Sequence, residues 1–216
     1  MVKRALDLIA SIAGLIVLAP VWLSIVVCMK ASDRGPVLYR GRRVGRFGDS
    51  FEMLKFRTMV VHADRIGGPS TAGDDPRVTP LGRWLRRYKL DELPQLLNVL
   101  RGEMSLVGPR PEVQQYVDLY TEEERAILSV RPGITDRASL WNSDEGALLA
   151  GSSDPERTYL EEIRPEKLRL QLAYVREQSL STDLGIIGRT AGAILFRRPA
   201  AATLARVPER QRAELR

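Results

Sequence analysis

Residues 89–112 read KLDELPQLLNVLRGEMSLVGPRPE, and the parsing of this stretch decides how the rest of the chain is arranged. Pro94 suits the first turn of a helix, where its missing N–H is no loss. Leu96, Leu97, Val99 and Leu100 then carry an apolar face as far as Arg101-Gly102, a helix stop. Asp91 and Glu92 are thereby placed at a helix mouth. The helix dipole contributes only about 0.3–1 kcal/mol there, less than the ~1.4 kcal/mol of one pKa unit, so it cannot tune two carboxylates alone. Adjacent residues do not share a helix face, so the two acids are expected to differ in role, one meeting a reacting atom and the other a metal or a second substrate. Cations crowd the same stretch: Arg83, Arg86, Arg87, Lys89, Arg101 and Arg110. The Gly108-Pro109-Arg110-Pro111 turn presents one guanidinium, the group best suited to grip a phosphate bidentately.

The whole chain has 216 residues, 44% of them hydrophobic and 28% charged, which describes a globular protein carrying a greasy segment rather than a disordered one. Its formal net charge of +6 points to anionic partners: nucleic acid, acidic lipid or phosphorylated substrates. Cys28 is the only cysteine and His62 the only histidine. An internal disulfide is therefore excluded, a His/Cys zinc site and a histidine base are disfavoured, and acid–base and metal work falls to carboxylates.

Residues 5–29, ALDLIASIAGLIVLAPVWLSIVVCM, carry a single charge, Asp7. As a helix they would reach about 38 Å, enough for the ~30 Å core of a bilayer. Basic residues flank both ends, Lys3 and Arg4 before and Lys30 and Arg34 after, which argues against ends on opposite membrane faces. Pro20 removes a helix hydrogen bond and bends the axis. The favoured reading is a re-entrant, Pro-kinked helix that enters and leaves one leaflet, with a true span as the alternative, since membrane helices also tolerate proline, and with Asp7 among the head groups.

Residues 35–59 predict a short β-hairpin, VLYRGRRVGRF and FEMLKFRTM about a Gly48-Asp49-Ser50 turn. Arg40, Arg42, Arg43 and Arg46 would line it, either as a solvated basic edge on anionic lipid or in direct contact with substrate. Residues 66–80 read as a loop, and Asp74-Asp75-Pro76 within it as turn chemistry rather than a metal site. LGRWLRRY at 81–88 is expected to be a helix delivering Arg86 to the acidic pair. Helix is predicted over 111–119, and Thr121 with Glu124 forms a capping box for the next one. Asp154-Pro155 and Pro165 each start another. SLSTDLGIIGRTAGAILFRR at 179–198 is amphipathic, compatible with a core helix or an interfacial one. The expected fold is α+β and mostly helical, with a membrane anchor over 1–34, a catalytic domain over 35–196 and a polar tail over 197–216.

Four ordered blocks carry a family likeness: the N-terminal hydrophobic segment, KFRTM at 55–59, DELPQLLNVLRGEMSLVGPRPE at 91–112 and RPGIT at 131–135. Together they resemble the bacterial sugar transferases, monotopic phosphoglycosyl transferases that load a phospho-sugar onto polyprenyl (undecaprenyl) phosphate. The resemblance implies that Asp91 displaces UMP from a UDP-sugar to form an aspartyl-phosphosugar. The phospho-sugar then passes to the lipid phosphate at the cytoplasmic face of the bacterial inner membrane, opening glycoconjugate or polysaccharide synthesis. A carboxylate attacking a pyrophosphate meets like-charge repulsion, so a divalent ion, Mg²⁺, is expected at Asp91 and Glu92, with arginines helping to neutralise the charge. Glu92 would ligate the metal or position the acceptor. By its place in the pattern Arg110 would grip phosphate, supported by Arg86 and Lys55, with Arg57 and Arg131 as further contacts. No nucleic-acid partner is expected, and a homodimer stays open. Two positions depart from many relatives: Asp136, where they carry glycine, and Gln171, where they carry an acid. These departures motivate the alternative of a non-catalytic membrane scaffold that keeps the fold.

Overall fold

The apolar N-terminal stretch folds as two helices, α1 (Val2–Val17) and α2 (Ala19–Ser32), bent by 58° where they meet. Pro20 lies in the first turn of α2, so the bend falls where a proline leaves a carbonyl unpaired. The computed structural model describes residues 2–63, 66, 75–142, 145–149 and 152–195. The 197–216 tail, Asp74 and most of the 66–80 loop lie outside them. Among the described residues no single helix is long and apolar enough to cross a membrane; only the bent pair together passes that test.

The polar start of α1 is docked onto the rest of the protein, which corrects the expectation for Asp7. Its carboxylate is buried and accepts hydrogen bonds from Ser105 Oγ (2.9 Å) and Leu106 N (3.1 Å). Lys3 meets Asp183 at 2.5 Å, and Arg4 donates to the carbonyls of Val99 (2.7 Å) and Leu100 (3.2 Å). These flanking charges are anchored in protein, and α1 packs along the helix that follows the acidic pair.

The hairpin forms as β1 (Leu38–Val44) and β2 (Ser50–Phe56), antiparallel, with Leu38 opposite Phe56 and Tyr39 opposite Lys55. Its turn comes earlier than expected: Gly45 N bonds Asp49 O at 2.7 Å, with Phe47 and Gly48 at positive φ. Alternation places Leu38, Val44, Leu54 and Phe56 on one face, and Phe56 joins Ile25, Met29 and Leu85 in the core. The other face carries Tyr39, Gly41, Arg43, Phe51, Met53 and Lys55.

Helix α3 (Pro80–Arg87) is capped by Thr79, whose hydroxyl accepts from Gly82 N at 2.9 Å. A 3-10 turn, Leu90–Glu92, leads into α4 (Gln95–Arg101), which stops at Gly102 in the left-handed region. After it, β3 (Ser105–Val107) pairs parallel with β4 (Gly133–Thr135), a second sheet that the sequence reading lacks. The remaining helices are α5 (Gln114–Val117), α6 (Arg137–Trp141), α7 (Glu145–Leu149), α8 (Pro155–Thr158), α9 (Arg164–Glu177) and α10 (Leu180–Leu195). The helix expected over 111–119 is only the single turn α5, because the chain before it runs extended and Glu112 O accepts from Val44 N at 2.9 Å. The Thr121–Glu124 capping box forms in both directions (2.8 and 3.2 Å), but it opens a 3-10 turn, Glu124–Ser129, rather than an α-helix.

The two short strands approach so closely that only glycine fits between their flanks. A Cβ on Gly133 would stand 2.1 Å from Gly108 N, and one on Gly108 would stand 2.3 Å from Arg131 O. Gly133→Ala should therefore force backbone apart next to Pro109-Arg110. We expect a loss of about 1–3 kcal/mol, read as a thermal midpoint lower by roughly 2–10 °C; an unchanged midpoint would show that the contact yields freely.

Candidate active site

Two polar tethers fix the acidic pair against the hairpin. Asn98 of α4 is fully buried; its Oδ1 accepts from Leu54 N (3.0 Å) and its Nδ2 donates to Glu52 O (2.7 Å), locking the helix to the edge of β2. The register of β2 then aims Lys55 at the 3-10 turn, where its Nζ meets Glu92 Oε1 at 3.1 Å. The Pro-Arg-Pro segment arrives from the other side. Arg110 grips Glu92 with both terminal nitrogens, Nη1 to Oε2 at 3.1 Å and Nη2 to Oε1 at 2.5 Å. This is a bidentate, charge-assisted pair.

The neighbouring acid has the opposite environment. Asp91 is buried, accepts no hydrogen bond from any described residue, and leaves Oδ1 without a partner. Burial pushes its carboxyl above the ordinary range, opposed by Lys55 and reinforced by Glu92. Burial would also raise Glu92, but Arg110 and then Lys55 override it and hold Glu92 well below the ordinary range. Two adjacent carboxyls with their pKa values driven apart are the mark of two different roles. Arg86 completes the group from α3: its Nε donates to Thr58 Oγ1 at 2.8 Å, burial lowers its pKa, and Asp91 is the anion that most opposes that shift.

The structure thus brings Asp91, Glu92, Lys55, Arg110 and Arg86 together. It places the other two expected phosphate contacts elsewhere. Arg57 is bound to Asp33 (2.5 Å) and to the carbonyls of Pro36 (2.7 Å) and Met59 (3.2 Å), tying the end of α2 to the end of β2. Arg131 donates to Gly102 O at 2.8 Å, closing the C-terminus of α4. Both carry structural contacts, and a motif position alone does not reveal that.

The expected metal ligands also divide. Both oxygens of Glu92 are engaged by Arg110 and Lys55, so in this arrangement Glu92 does not fit as a ligand. Asp91 does: Oδ1 is a buried carboxyl oxygen without a hydrogen-bond partner among the described residues. Mg²⁺ commonly uses one or two carboxylates and takes its other oxygens from substrate phosphates and water. Among the described residues no group of three or more His, Cys, Asp or Glu side chains could hold a metal unaided. Asp75, the described half of the Asp74-Asp75 pair, is bound to Arg77 at 2.6 Å, in keeping with a structural turn.

The two departures noted in the sequence prove to be partners. Gln171 Nε2 donates to Asp136 Oδ2 at 3.0 Å, and the same oxygen accepts from Arg110 N at 3.1 Å. Asp136 Oδ1 caps α6 through Ser139 N at 2.6 Å. One carboxylate at this buried junction, with an amide facing it, holds the Arg110 backbone in place. A second carboxylate at 171 would put two anions in contact out of water. We expect Gln171→Asp to cost about 1–3 kcal/mol and Asp136→Asn added to it to recover most of that loss; additive losses in the double variant would contradict the pairing.

The family model described as bacterial sugar transferase matches residues 1–197. An exopolysaccharide production protein of Sinorhizobium fredii is 37% identical over 211 residues, covering 91% of this chain and 86% of that protein. The UDP-glucose:undecaprenyl-phosphate glucose-1-phosphate transferase of Caulobacter vibrioides is 38% identical over 200 residues, covering 89% of this chain and 69% of that one. The undecaprenyl-phosphate glucose phosphotransferase of Komagataeibacter xylinus is 40% identical over 205 residues, covering 92% of this chain but only 36% of its own length.

Proposed function

The chain belongs to the bacterial sugar transferase family, and from that premise we propose that it transfers a phospho-sugar from a UDP-sugar to polyprenyl phosphate. The observation that carries the reading is the asymmetry of the acidic pair: Glu92 is clamped and ionised, whereas Asp91 is buried beside cations with an oxygen free to react. An Asp91 oxygen attacks the sugar-linked phosphorus. The bond from that phosphorus to the bridging oxygen breaks, and UMP departs with the electron pair. An oxygen of the lipid phosphate then attacks the same phosphorus, releases the Asp91 carboxylate and leaves a polyprenyl diphosphate sugar. Splitting the transfer this way predicts ping-pong kinetics.

Arg86 and Lys55 stand beside Asp91 and offset the charge that gathers on the phosphoryl oxygens. Glu92 fixes Arg110 and Lys55 in place, so its role is positioning. A divalent cation such as Mg²⁺, held by Asp91 and the donor's phosphates, would supply further charge neutralisation when bound.

The acceptor sets the location. Ile9, Ile12, Ile16, Val17, Leu23 and Val27 of α1 and α2 are exposed, an apolar surface that a bilayer would cover. We therefore place the bent pair in one leaflet, re-entrant, with the active site against the cytoplasmic face of the inner membrane. UMP release from a panel of UDP-sugars, with Mg²⁺ and with or without polyprenyl phosphate, tests the reading and identifies the donor. Acceptor-dependent turnover of one sugar supports it. Silence across the panel from folded protein in lipid overturns it in favour of a scaffold.

A further inference from the structure

Near Arg110, one cation has no ion-pair partner among the described residues. Arg43 is partly buried, makes a single hydrogen bond among the described residues, to Arg42 O at 2.8 Å, and forms no ion pair. The carboxylate whose charge acts on it, Glu112, is already held by Lys167 at 2.7 Å and by the Tyr159 hydroxyl at 2.8 Å, and Arg110 adds a like charge. A guanidinium drawn out of water without a partner is costly, and burial lowers its pKa accordingly. An anion from outside the chain would relieve that cost.

The hairpin register says what else such an anion would meet. Arg43 lies on the face that carries Lys55, and Tyr39 stands directly opposite Lys55, whose ammonium touches Glu92. Between Tyr39 and Arg43 on that face is Gly41. A Cβ there would come 3.0 Å from the Tyr39 ring and 3.3 Å from Arg43 Nη1, so ring and guanidinium both lean over the space that glycine leaves. Tyr39 is 45% exposed, with its ring open to a ligand. A guanidinium for phosphate beside an aromatic ring for a base matches a nucleotide. A lipid phosphate would bring an isoprenoid chain and no ring to stack.

We propose that Tyr39, Gly41 and Arg43 form the nucleotide subsite, with Arg43 gripping the phosphate that departs with the nucleoside and Tyr39 stacking on its base. The assignment rests on the transferase reading above. It gives the phosphate a place near Arg110, on the hairpin face that also carries Lys55.

The test uses the full chain in lipid nanodiscs, with UMP as inhibitor and separate Michaelis constants for donor and polyprenyl phosphate. Arg43→Ala should weaken UMP inhibition and raise the donor KM by about tenfold or more, with the polyprenyl phosphate KM within about twofold. Tyr39→Ala should weaken UMP on the order of tenfold, and Tyr39→Phe should stay within about twofold, because the stacking ring is kept. Should Arg43→Ala fail to fold, the exposed Tyr39 pair carries the same comparison. Unchanged UMP inhibition in the Ala variants of an active enzyme overturns the subsite alone. A rise confined to the polyprenyl phosphate KM assigns the face to the acceptor and overturns it too. A wild-type chain that neither releases UMP from any UDP-sugar nor binds UMP overturns the transferase reading beneath it.

Discussion

Replacing Asp91 with asparagine should abolish sugar-phosphate transfer and at the same time make the protein more stable at neutral pH. The loss follows from the nucleophile: an amide oxygen cannot form and release the phosphoryl ester, and removal of a covalent nucleophile commonly costs about 10⁴-fold or more. The gain follows from burial. The folded-state pKa of Asp91 is raised above its unfolded value of about 3.9, so stability falls as pH climbs through the window above that value. Ionised Asp91 is a buried carboxylate that accepts no hydrogen bond from any described residue, and asparagine removes its charge at constant shape. A thermal midpoint higher by about 2 °C or more than wild type at pH 7, shrinking towards pH 4, is the expected signature. Glu92→Gln should move the other way. Its folded pKa is depressed, so its contribution is present above its unfolded value and disappears as pH falls through the folded one. Equal midpoint shifts in the two variants would contradict the asymmetry of the pair.

Arg110→Ala should give the largest stability loss in the site. It deletes both hydrogen bonds to Glu92 and leaves that carboxylate with Lys55 alone. Breaking a buried pair by removing one partner costs about 3–5 kcal/mol, and the partial exposure of both side chains puts this case at the lower end. The midpoint should drop by roughly 6–12 °C. Arg110→Lys keeps the charge but loses the fork, so it should recover part of the stability while turnover stays depressed about 10–100-fold. A lysine variant with full activity would show that charge alone suffices at this position.

Much of the site was legible because it is built from short-range chemistry. The Pro94 helix start, the Gly102 stop and the proline-flanked Arg110 sit within one continuous stretch, and the hairpin alternation aims Lys55. The β3–β4 pair was not legible. Each strand has three residues, their partners lie far apart in sequence, and no local pattern marks a parallel pairing of that length. Asn98 was hidden for a different reason: a buried amide within an apolar helix face reads as an interruption until the β2 edge it satisfies is seen. Arg57 and Arg131 share the motif blocks of the residues gathered around Asp91, and only the structure shows that they hydrogen-bond to Asp33 and to Gly102 O instead. Asp7, Lys3 and Arg4 likewise looked like membrane flanks because sequence cannot show that β3, α4 and α10 lie within their reach.

In the proposed reaction Asp91 carries the phospho-sugar between donor and lipid. The most direct measurement is a single-turnover mixture of wild-type protein, its UDP-sugar and Mg²⁺ without polyprenyl phosphate, followed by UMP release and by mass analysis of the peptide that contains Asp91. About one equivalent of UMP per active site is expected, with a phospho-sugar mass on Asp91 that disappears when polyprenyl phosphate is added, and neither signal in Asp91→Asn. UMP release that requires the acceptor from the outset, or a burst that survives in Asp91→Asn, would contradict it.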